Sequence, residues 1–310
     1  ALPILSQSTN DAYPTGFRLG VYACLMTLIE QMDSLQGAFR DKANEFMDIL
    51  KMGRTQLQDA APITLGMEFG AWAEALGRDR WRVFKCRERL KQVNLGGTAV
   101  GTGLGAPRQF IFRATEELRA ITGLPLSRAE NLVDATQNQD AFVEVSGILK
   151  AMAANLFKIC SDLRLLSSGP DAGLGEIRLP ACQAGSTIMP GKVNPVIPEA
   201  ASQAALRVMA NDQCVTLAAS LAQLELAQFL PLLAHSLLES LRLLIGATRI
   251  LRERCVLGAQ ARPERCRAGF MASKALAAAL TPILGYEAVE RAVREADRTG
   301  VTVHAALVRL

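Results

Sequence analysis

The sequence predicts an all-α protein, an elongated antiparallel bundle of long helices followed by a small helical C-terminal part. Half of the 310 residues are apolar, yet aromatic residues make up only 5%. The core must therefore be built mostly from Ala, Leu, Val and Ile, which favours helices over sheets. Apolar residues also recur at helical spacing over stretches far longer than an average helix. Short Gly- and Pro-rich breaks join these stretches, as in antiparallel bundles with their loops at the two ends.

Five long helices follow from the apolar periodicity and the positions of Gly and Pro. They are expected over residues 14–52, 65–93, 140–166, 195–224 and 231–255. Asp11 and Pro14 are start signals for the first, which at about 1.5 Å per residue would be roughly 50 Å long. The helix over residues 195–224 is apolar around most of its circumference and is expected to be buried among others.

Shorter helices are expected over residues 110–121, 265–280, 286–298 and 303–310. Pro263 marks a boundary before the last three. We therefore expect a central long-helix domain over residues 1–260 and a small helical domain, apparently truncated, over residues 261–310.

Composition and charge disfavour several classes of partner. A net charge of +4 arises from 34 basic and 30 acidic residues, and these are spread along the chain without the basic runs of a nucleic-acid or membrane surface. Seven scattered cysteines, with no CxxC spacing, favour reduced thiols in a cytoplasmic protein. The sequence shows no charged-then-apolar leader and no uncharged apolar run long enough to span a bilayer. We expect a soluble cytoplasmic protein that binds neither nucleic acid nor membrane.

A glycine-rich turn over residues 94–103 cannot be helical throughout. It contains Gly-x-Gly spacing, the hallmark of dinucleotide-binding loops. It lacks the preceding strand and the βαβ context that such a loop requires, so we reject a Rossmann interpretation.

Polar residues gather at three expected helix ends, over residues 6–11, 55–59 and 185–195. Each has a simpler explanation, because Ser, Thr, Asn and Asp commonly cap helices and polar turns between helices are common. Together they offer neutral hydrogen-bond donors suited to a carboxylate. The third adds Lys192 and a helix N-terminus, which favour negative charge. The combination predicts a site for a small dianion.

The third stretch resembles a known signature. Residues 185–195 read GSTIMPGKVNP, similar to the Gly-Ser-Ser-x-Met-Pro-x-Lys-x-Asn pattern of the aspartase/fumarase superfamily. Residues 6–15, 53–60 and 95–103 resemble further stretches of this superfamily in the same order, so the similarity covers nearly the whole chain. Ser-Thr-Asn at 8–10 and Thr-Gln at 55–56 are more similar to its bacterial aspartase branch than to its fumarases, which tend to have Ser-Ser-Asn and Thr-His.

The resemblance implies an anti-elimination that removes a Cβ proton and ammonia from L-aspartate to give fumarate. Ser186 would be the general base, acting as an oxyanion, and Lys192 and Asn194 would hold the carboxylate next to the deprotonated carbon. The other substrate-binding donors would be Ser8, Thr9, Asn10, Thr55 and Gln56. The residues supporting a loop that closes over the substrate would be Gly185, Thr187, Met189 and Gly191.

The chemistry makes demands on the site. An unassisted serine is a poor base near neutral pH, so Ser186 needs a desolvated, electropositive pocket, which a closing loop would provide. The reaction requires no metal or other cofactor, and we expect neither. A histidine-rich site is excluded, because the chain has only His235 and His304. Both are expected to be packed or surface residues.

The resemblance also implies a homotetramer in which polar stretches from three chains surround each site. The apolar circumference of the helix over residues 195–224 agrees with this, since one chain would struggle to cover it. The expected partners are thus a small dicarboxylate substrate and further copies of the chain.

The chain departs from the superfamily pattern in four places. It begins near Ser8, where aspartases carry a whole helical domain first, and the C-terminal domain looks short. Met67 stands where Gln is usual, and Ala227 where Asn is common. Two alternatives to the aspartase reaction therefore stay open. One is a non-catalytic scaffold or interaction protein of the same fold, and the other is a fumarate hydratase or another fumarate-yielding lyase.

Overall fold

A computed structural model of the chain describes residues 6–186 and 188–309. Its α-helices, in chain order, are α1 (Thr9–Glu45), α2 (Leu65–Cys86), α3 (Arg108–Thr122), α4 (Leu132–Gln137), α5 (Asp140–Leu166), α6 (Val196–Ser220), α7 (Leu230–Leu251), α8 (Pro263–Ala272), α9 (Thr281–Leu284), α10 (Tyr286–Thr299) and α11 (Val303–Arg309). Short 3-10 helices cover Arg87–Leu90 and Lys274–Leu280, and a π-helical turn covers Arg252–Val256. The prediction of an all-α fold built on long helices is confirmed.

The short strands form three two-stranded sheets in the described part of the chain. A hairpin consists of β1 (Leu50–Thr55) and β2 (Gln58–Thr64). The parallel pair is β3 (Gln92–Val93) with β4 (Ser127–Arg128), and the last antiparallel pair is β5 (Ile177–Arg178) with β6 (Gln260–Ala261). The first helix accordingly ends before residue 52, because residues 50–55 pair with β2 instead.

The glycine-rich turn after residue 94 follows strand β3, so the expectation that no strand precedes it is wrong. A pair of two-residue strands was beyond what a residue pattern reveals, because their pairing joins positions far apart in sequence. The rejected Rossmann interpretation does not return. A dinucleotide-binding fold needs an open parallel sheet of several strands, and in the part of the chain that the structure describes β3 pairs only with β4.

The chain divides into two compact units. The first contains Ala1–Ser34, of which residues 6–34 are described, with Leu76–Lys158 and Ala200–Ile250. Its core consists of aliphatic residues facing inward from successive helices, including Val21, Leu25, Leu28, Val145, Leu149, Val215, Leu237 and Leu241, none of which is accessible to solvent. Helix α5 supplies this core at three- and four-residue intervals, as its apolar pattern predicted.

The second unit contains Leu35–Ala75, Ile159–Glu199 and Leu251–Leu310. An aromatic cluster of Phe39, Phe46, Phe69 and Trp72 packs at ring-centroid distances between 4.7 and 5.9 Å. These rings join the end of α1 to the start of α2, on either side of the β1–β2 hairpin. The two segments that flank the hairpin are therefore packed against each other at its base.

The last helices have a small core of their own within the second unit. It consists of Ala277, Val289, Ala292, Ala296, Val303 and Ala306. The expected domain boundary at residue 260 stays a prediction.

One helical stretch in the described part, Leu230–Val256, is long and apolar enough to cross a membrane by length and composition alone. Half of its most apolar window is buried inside the protein, and a core helix passes the same test.

Candidate active site

The loop that carries Ser186 is closed by its own backbone. The Ser186 N–H donates to the Lys192 carbonyl at 3.1 Å, and the Lys192 N–H donates to the Met189 carbonyl at 3.1 Å. Gly191 has a φ of +80°, a conformation that favours glycine. These contacts bring Ser186 and residues 189–192 together just before α6. Thr187, expected to support the loop, lies outside the described residues.

The Ser186 hydroxyl oxygen accepts two hydrogen bonds from backbone N–H groups. Ile188 donates at 3.3 Å and Met189 at 3.1 Å. Backbone donors of this kind stabilise negative charge on oxygen. The loop geometry therefore lowers the free-energy cost of ionising Ser186, which is what a serine base requires.

Lys192 and Asn194 extend the loop towards α6. Both are exposed, as is Gly185, whereas Ser186 is partly buried. Ile188 is also 84% exposed. The loop thus presents a cation, an amide and an apolar side chain to solvent in the single chain. A substrate and a covering surface can still reach these groups.

The tip of the β1–β2 hairpin carries Thr55 and Gln56, both exposed. Gln56 and the following Leu57 have φ values of +51° and +63°. Two-residue turns with two positive φ angles favour Asn-Gly, because side chains such as Gln and Leu are strained there. The expected polar turn between helices is thus a strained hairpin that points its polar residues outward.

The Ser8–Asn10 stretch lies at the start of α1, in the first unit. Ser8 caps the helix, since its hydroxyl accepts from the Asn10 N–H at 3.1 Å. The Asn10 amide donates to the Ala99 carbonyl at 2.8 Å, which fastens the stretch to the glycine-rich turn. Thr9 is exposed. Ser8 therefore caps the helix, while the neighbouring Thr9 side chain is open to solvent.

The expected site residues thus form three groups. Ser186, Met189 and Lys192 are joined by loop hydrogen bonds, Thr55 and Gln56 share the hairpin tip, and Ser8–Asn10 belong to the first unit. Within the described chain, no group of three or more His, Cys, Asp or Glu residues is arranged to hold a metal ion.

A buried cluster of charges beneath the hairpin was missed by the sequence analysis. Lys51 Nζ lies 2.7 and 2.8 Å from the two carboxylate oxygens of Glu68 and 2.7 Å from Oε2 of Glu176. Arg54 Nη1 donates to Oε1 of Glu176 at 2.8 Å. The side chains of Lys51 and Glu176 are 1% and 3% exposed. We call these four residues the charge cluster.

The surroundings of the charge cluster are apolar enough to shift ionisation. Burial raises the pKa of Glu68, an effect that Lys51 opposes. Burial also raises the pKa of the nearby Cys266 thiol to about 11. No local pattern could have revealed the cluster, because Arg54 and Glu176 are 122 residues apart in sequence.

The two departures from the superfamily pattern lie in different environments. Met67 is 54% exposed in the first turn of α2, where its N–H donates to the Thr64 hydroxyl at 3.2 Å. Ala227 is buried, at 5% exposure. His235 and His304 are exposed.

Comparison with known proteins places the chain in a family. Residues 5–210 match the family described as Lyase. Over 296 residues, the chain is 50% identical to an aspartate ammonia-lyase of Corynebacterium glutamicum, covering 96% of this chain and 56% of the relative. Over 280 residues, it is 48% identical to that of Escherichia coli K12, covering 90% of this chain and 59% of the relative.

Solved structures give the same result. A fumarate lyase:delta crystallin from Brucella melitensis, bound to cobalt, superposes with a TM-score of 0.95 at 48% identity, covering 99% of this chain and 66% of that one. A class II fumarase from Schistosoma mansoni gives a TM-score of 0.89 at 32% identity, covering 99% and 67%.

The chain therefore belongs to the lyase family. Within it, the chain is a member of the aspartase/fumarase superfamily on the aspartase side, as its motifs implied. It spans between 56% and 63% of the length of the curated aspartate ammonia-lyases named here and of that from Pseudomonas aeruginosa.

Proposed function

We propose that this protein catalyses the reversible anti-elimination of ammonia from L-aspartate to give fumarate. The observation that carries the proposal is the Ser186 loop, in which two backbone N–H groups point at the hydroxyl oxygen. The similarity to aspartate ammonia-lyases, at about 50% sequence identity, supports L-aspartate as the substrate.

Ser186, as an oxyanion, removes the Cβ proton of L-aspartate. Electron density then flows into the adjacent carboxylate, which becomes a dianionic aci-carboxylate, and the C–N bond breaks in the second step. Lys192 and Asn194 hold that carboxylate. A cation and a donor aimed at the developing charge stabilise the transition state more than the ground state, and so raise kcat.

The remaining contacts to the substrate come from two other places in the chain. Ser8, Thr9 and Asn10 supply donors from the start of α1, and Thr55 and Gln56 supply them from the hairpin tip. Gly185, Thr187, Met189 and Gly191 support the loop, and the two glycines suit a loop that closes over the substrate. No cofactor enters this scheme.

The functional form in this proposal is a cytoplasmic homotetramer with sites shared between subunits. Support comes from α6 and the residue that follows it, because Leu206, Leu217 and Leu221 lie at helical spacing along one side and are 51%, 60% and 53% exposed. Apolar side chains in such a row are typical of an interface. Light scattering that shows a stable monomer at micromolar concentration would rule the tetramer out.

The reaction is tested by following fumarate through its ultraviolet absorbance, starting from L-aspartate and from malate. Ser186→Ala should lower kcat by roughly 10²- to 10⁴-fold, the usual contribution of a general base, with the fold unchanged. Ser34→Ala is the matched control, because the Ser34 hydroxyl only donates to the Glu30 carbonyl within α1.

Each other result would contradict a different part of the proposal. Turnover of malate but not aspartate would indicate a fumarate hydratase. Absence of turnover with either substrate, in the protein expressed from its natural coding sequence, would favour a non-catalytic scaffold. A Ser186→Ala variant as active as the parent would remove Ser186 from the mechanism.

A further inference from the structure

The hairpin that carries Thr55 and Gln56 is tied to the protein immediately below its tip. The register of β1 and β2 shifts between Gly53 and Arg54, after which Arg54 faces Asp59 and Thr55 faces Gln58. Arg54 therefore belongs to the second residue pair below the turn, counted from the tip of the hairpin. Its Nη1 donates to Glu176 at 2.8 Å, and its Nε lies 3.8 Å from Asp59.

A contribution to stability alone does not explain the charge cluster. Replacing buried ion pairs by apolar residues is often neutral or stabilising, because removing charges from water offsets their attraction. Charged hydrogen bonds do fix geometry, since their strength depends on distance and direction. Three residues of the charge cluster, Lys51, Arg54 and Glu176, join one strand to the segment just before β5.

The tip itself needs such support. Positive φ angles at Gln56 and Leu57 are strained, and strained conformations persist only where surrounding contacts determine them. Leu57 is 69% exposed and so gains little from packing in this chain. Below the tip, β1 packs against α8 and β2 against the 3-10 helix Lys274–Leu280. The side-chain ion pair nearest the tip is that of Arg54 with Glu176.

We propose that the charge cluster is a positioning device, in which Arg54, anchored on Glu176, holds Thr55 and Gln56 in the orientation that binds the substrate. Arg54 is thus a positioning residue that acts through its neighbours. The inference rests on the proposed function for its link to substrate, whereas the mechanical part stands on the geometry of the hairpin.

The first test compares Arg54→Met with Arg54→Lys by steady-state kinetics on the assembled protein. Thr55 and Gln56 contact substrate in the ground state and the transition state alike. Misplacing them should raise KM about tenfold and leave kcat within about twofold, as expected when uniform binding is lost. Arg54→Lys keeps an ion pair with Glu176 and should recover most of the affinity.

The second test measures amide hydrogen exchange of residues 53–59 without substrate. Arg54→Met should speed exchange at the tip about tenfold or more, because opening of a local segment sets the rate. This measurement requires no catalytic activity, so it tests the positioning of the hairpin even if the lyase reaction is not found.

Lys150→Met is the matched control. Lys150 pairs at 2.6 Å with Asp212, a buried carboxylate in the first unit, so this variant also removes a cation from a buried acid. It should lower the melting temperature without changing KM or hairpin exchange.

Three results would overturn the proposal. One is parental exchange at the tip in Arg54→Met. The second is equal disturbance of the tip by Lys150→Met, which would indicate general destabilisation. The third is an Arg54→Lys variant as impaired as Arg54→Met, which would exclude the ion pair as the cause. If the parent protein lacks lyase activity, the proposed function fails while accelerated exchange in Arg54→Met alone still supports the positioning role.

Discussion

The carboxylate of Asp11 accepts a hydrogen bond from the backbone N–H of Thr98 at 2.9 Å, although 87 residues separate them in sequence. The same oxygen accepts from the Gly96 N–H at 3.1 Å, and the other oxygen accepts from the Ser8 N–H at 3.0 Å. Asp11 is fully buried. One carboxylate thus links the cap of α1 to the glycine-rich turn.

We expect Asp11→Asn to lower the free energy of unfolding by about 2 to 3 kcal/mol, since hydrogen bonds to a charged group contribute about that much. The NH2 group of Asn would also replace one of the two carboxylate oxygens, and the backbone N–H groups that donate to that oxygen would lose their acceptor. Urea denaturation measures the loss. Asp33→Asn is the control, because Asp33 is 66% exposed in its pair with Arg80 and should cost at most about 0.5 kcal/mol. Equal losses in the two variants would contradict the role assigned to Asp11.

The glycine-rich turn offers a second comparison between two residues of similar backbone conformation. Gly101 and Gly105 have φ values of +87° and +85°. A Cβ on Gly101 would lie 2.4 Å from backbone atoms of Val133, whereas a Cβ on Gly105 would meet nothing within 4 Å. Gly105→Ala should therefore cost only the strain of the left-handed region, about 1 to 2 kcal/mol.

Gly101→Ala adds a backbone collision to that strain and should cost about 3 kcal/mol or more. The same urea experiment compares the two variants. Similar stabilities of the two variants would contradict this, because they would show that the backbone near Val133 shifts to accommodate the added Cβ at little cost.

Stability should depend on pH through Asp79, whose pKa is raised above its ordinary value of 3.8, chiefly by burial. The hydrogen bond from Asn155 and the charge of Arg82 oppose this shift. A raised pKa means that folding takes up a proton. The stability from protonated Asp79 is therefore present at low pH and lost as pH rises through the raised pKa.

Asp79→Asn cannot ionise, so it removes this loss. The stability of the variant relative to the parent should rise as pH increases from about 4 to about 7, measured by denaturation at each pH. A falling relative stability of Asp79→Asn would show that its charged partners outweigh burial.

Prediction from the sequence succeeded where a feature depends on nearby residues. Helix α5 has the predicted bounds, because its apolar spacing and the Ser-Ser-Gly-Pro break after it are local signals. The loop around Ser186 was likewise found from consecutive residues, and its two N–H contacts suit the predicted base. The roles of the individual site residues stay predictions.

Prediction failed where a distant partner decides the outcome. No local signal marks Lys51, yet its side chain is 1% exposed and pairs with Glu68 and Glu176. Residues 50–52 were predicted as the end of the first helix but belong to β1, because only pairing with β2 distinguishes a strand from a helix end there. For Ser8 the sequence allowed both a capping role and a substrate-binding role. The structure shows the capping hydrogen bond, and the binding role stays a prediction.

Five long helices, α1, α2, α5, α6 and α7, each contain residues of both compact units. A helix is cooperative along its length, because each turn shares hydrogen bonds with the next. Unfolding of one unit would therefore unwind part of each shared helix and destabilise the other unit. We therefore expect the two units to unfold together. Differential scanning calorimetry should show a single heat-absorption peak, with agreement between the calorimetric and van't Hoff enthalpies.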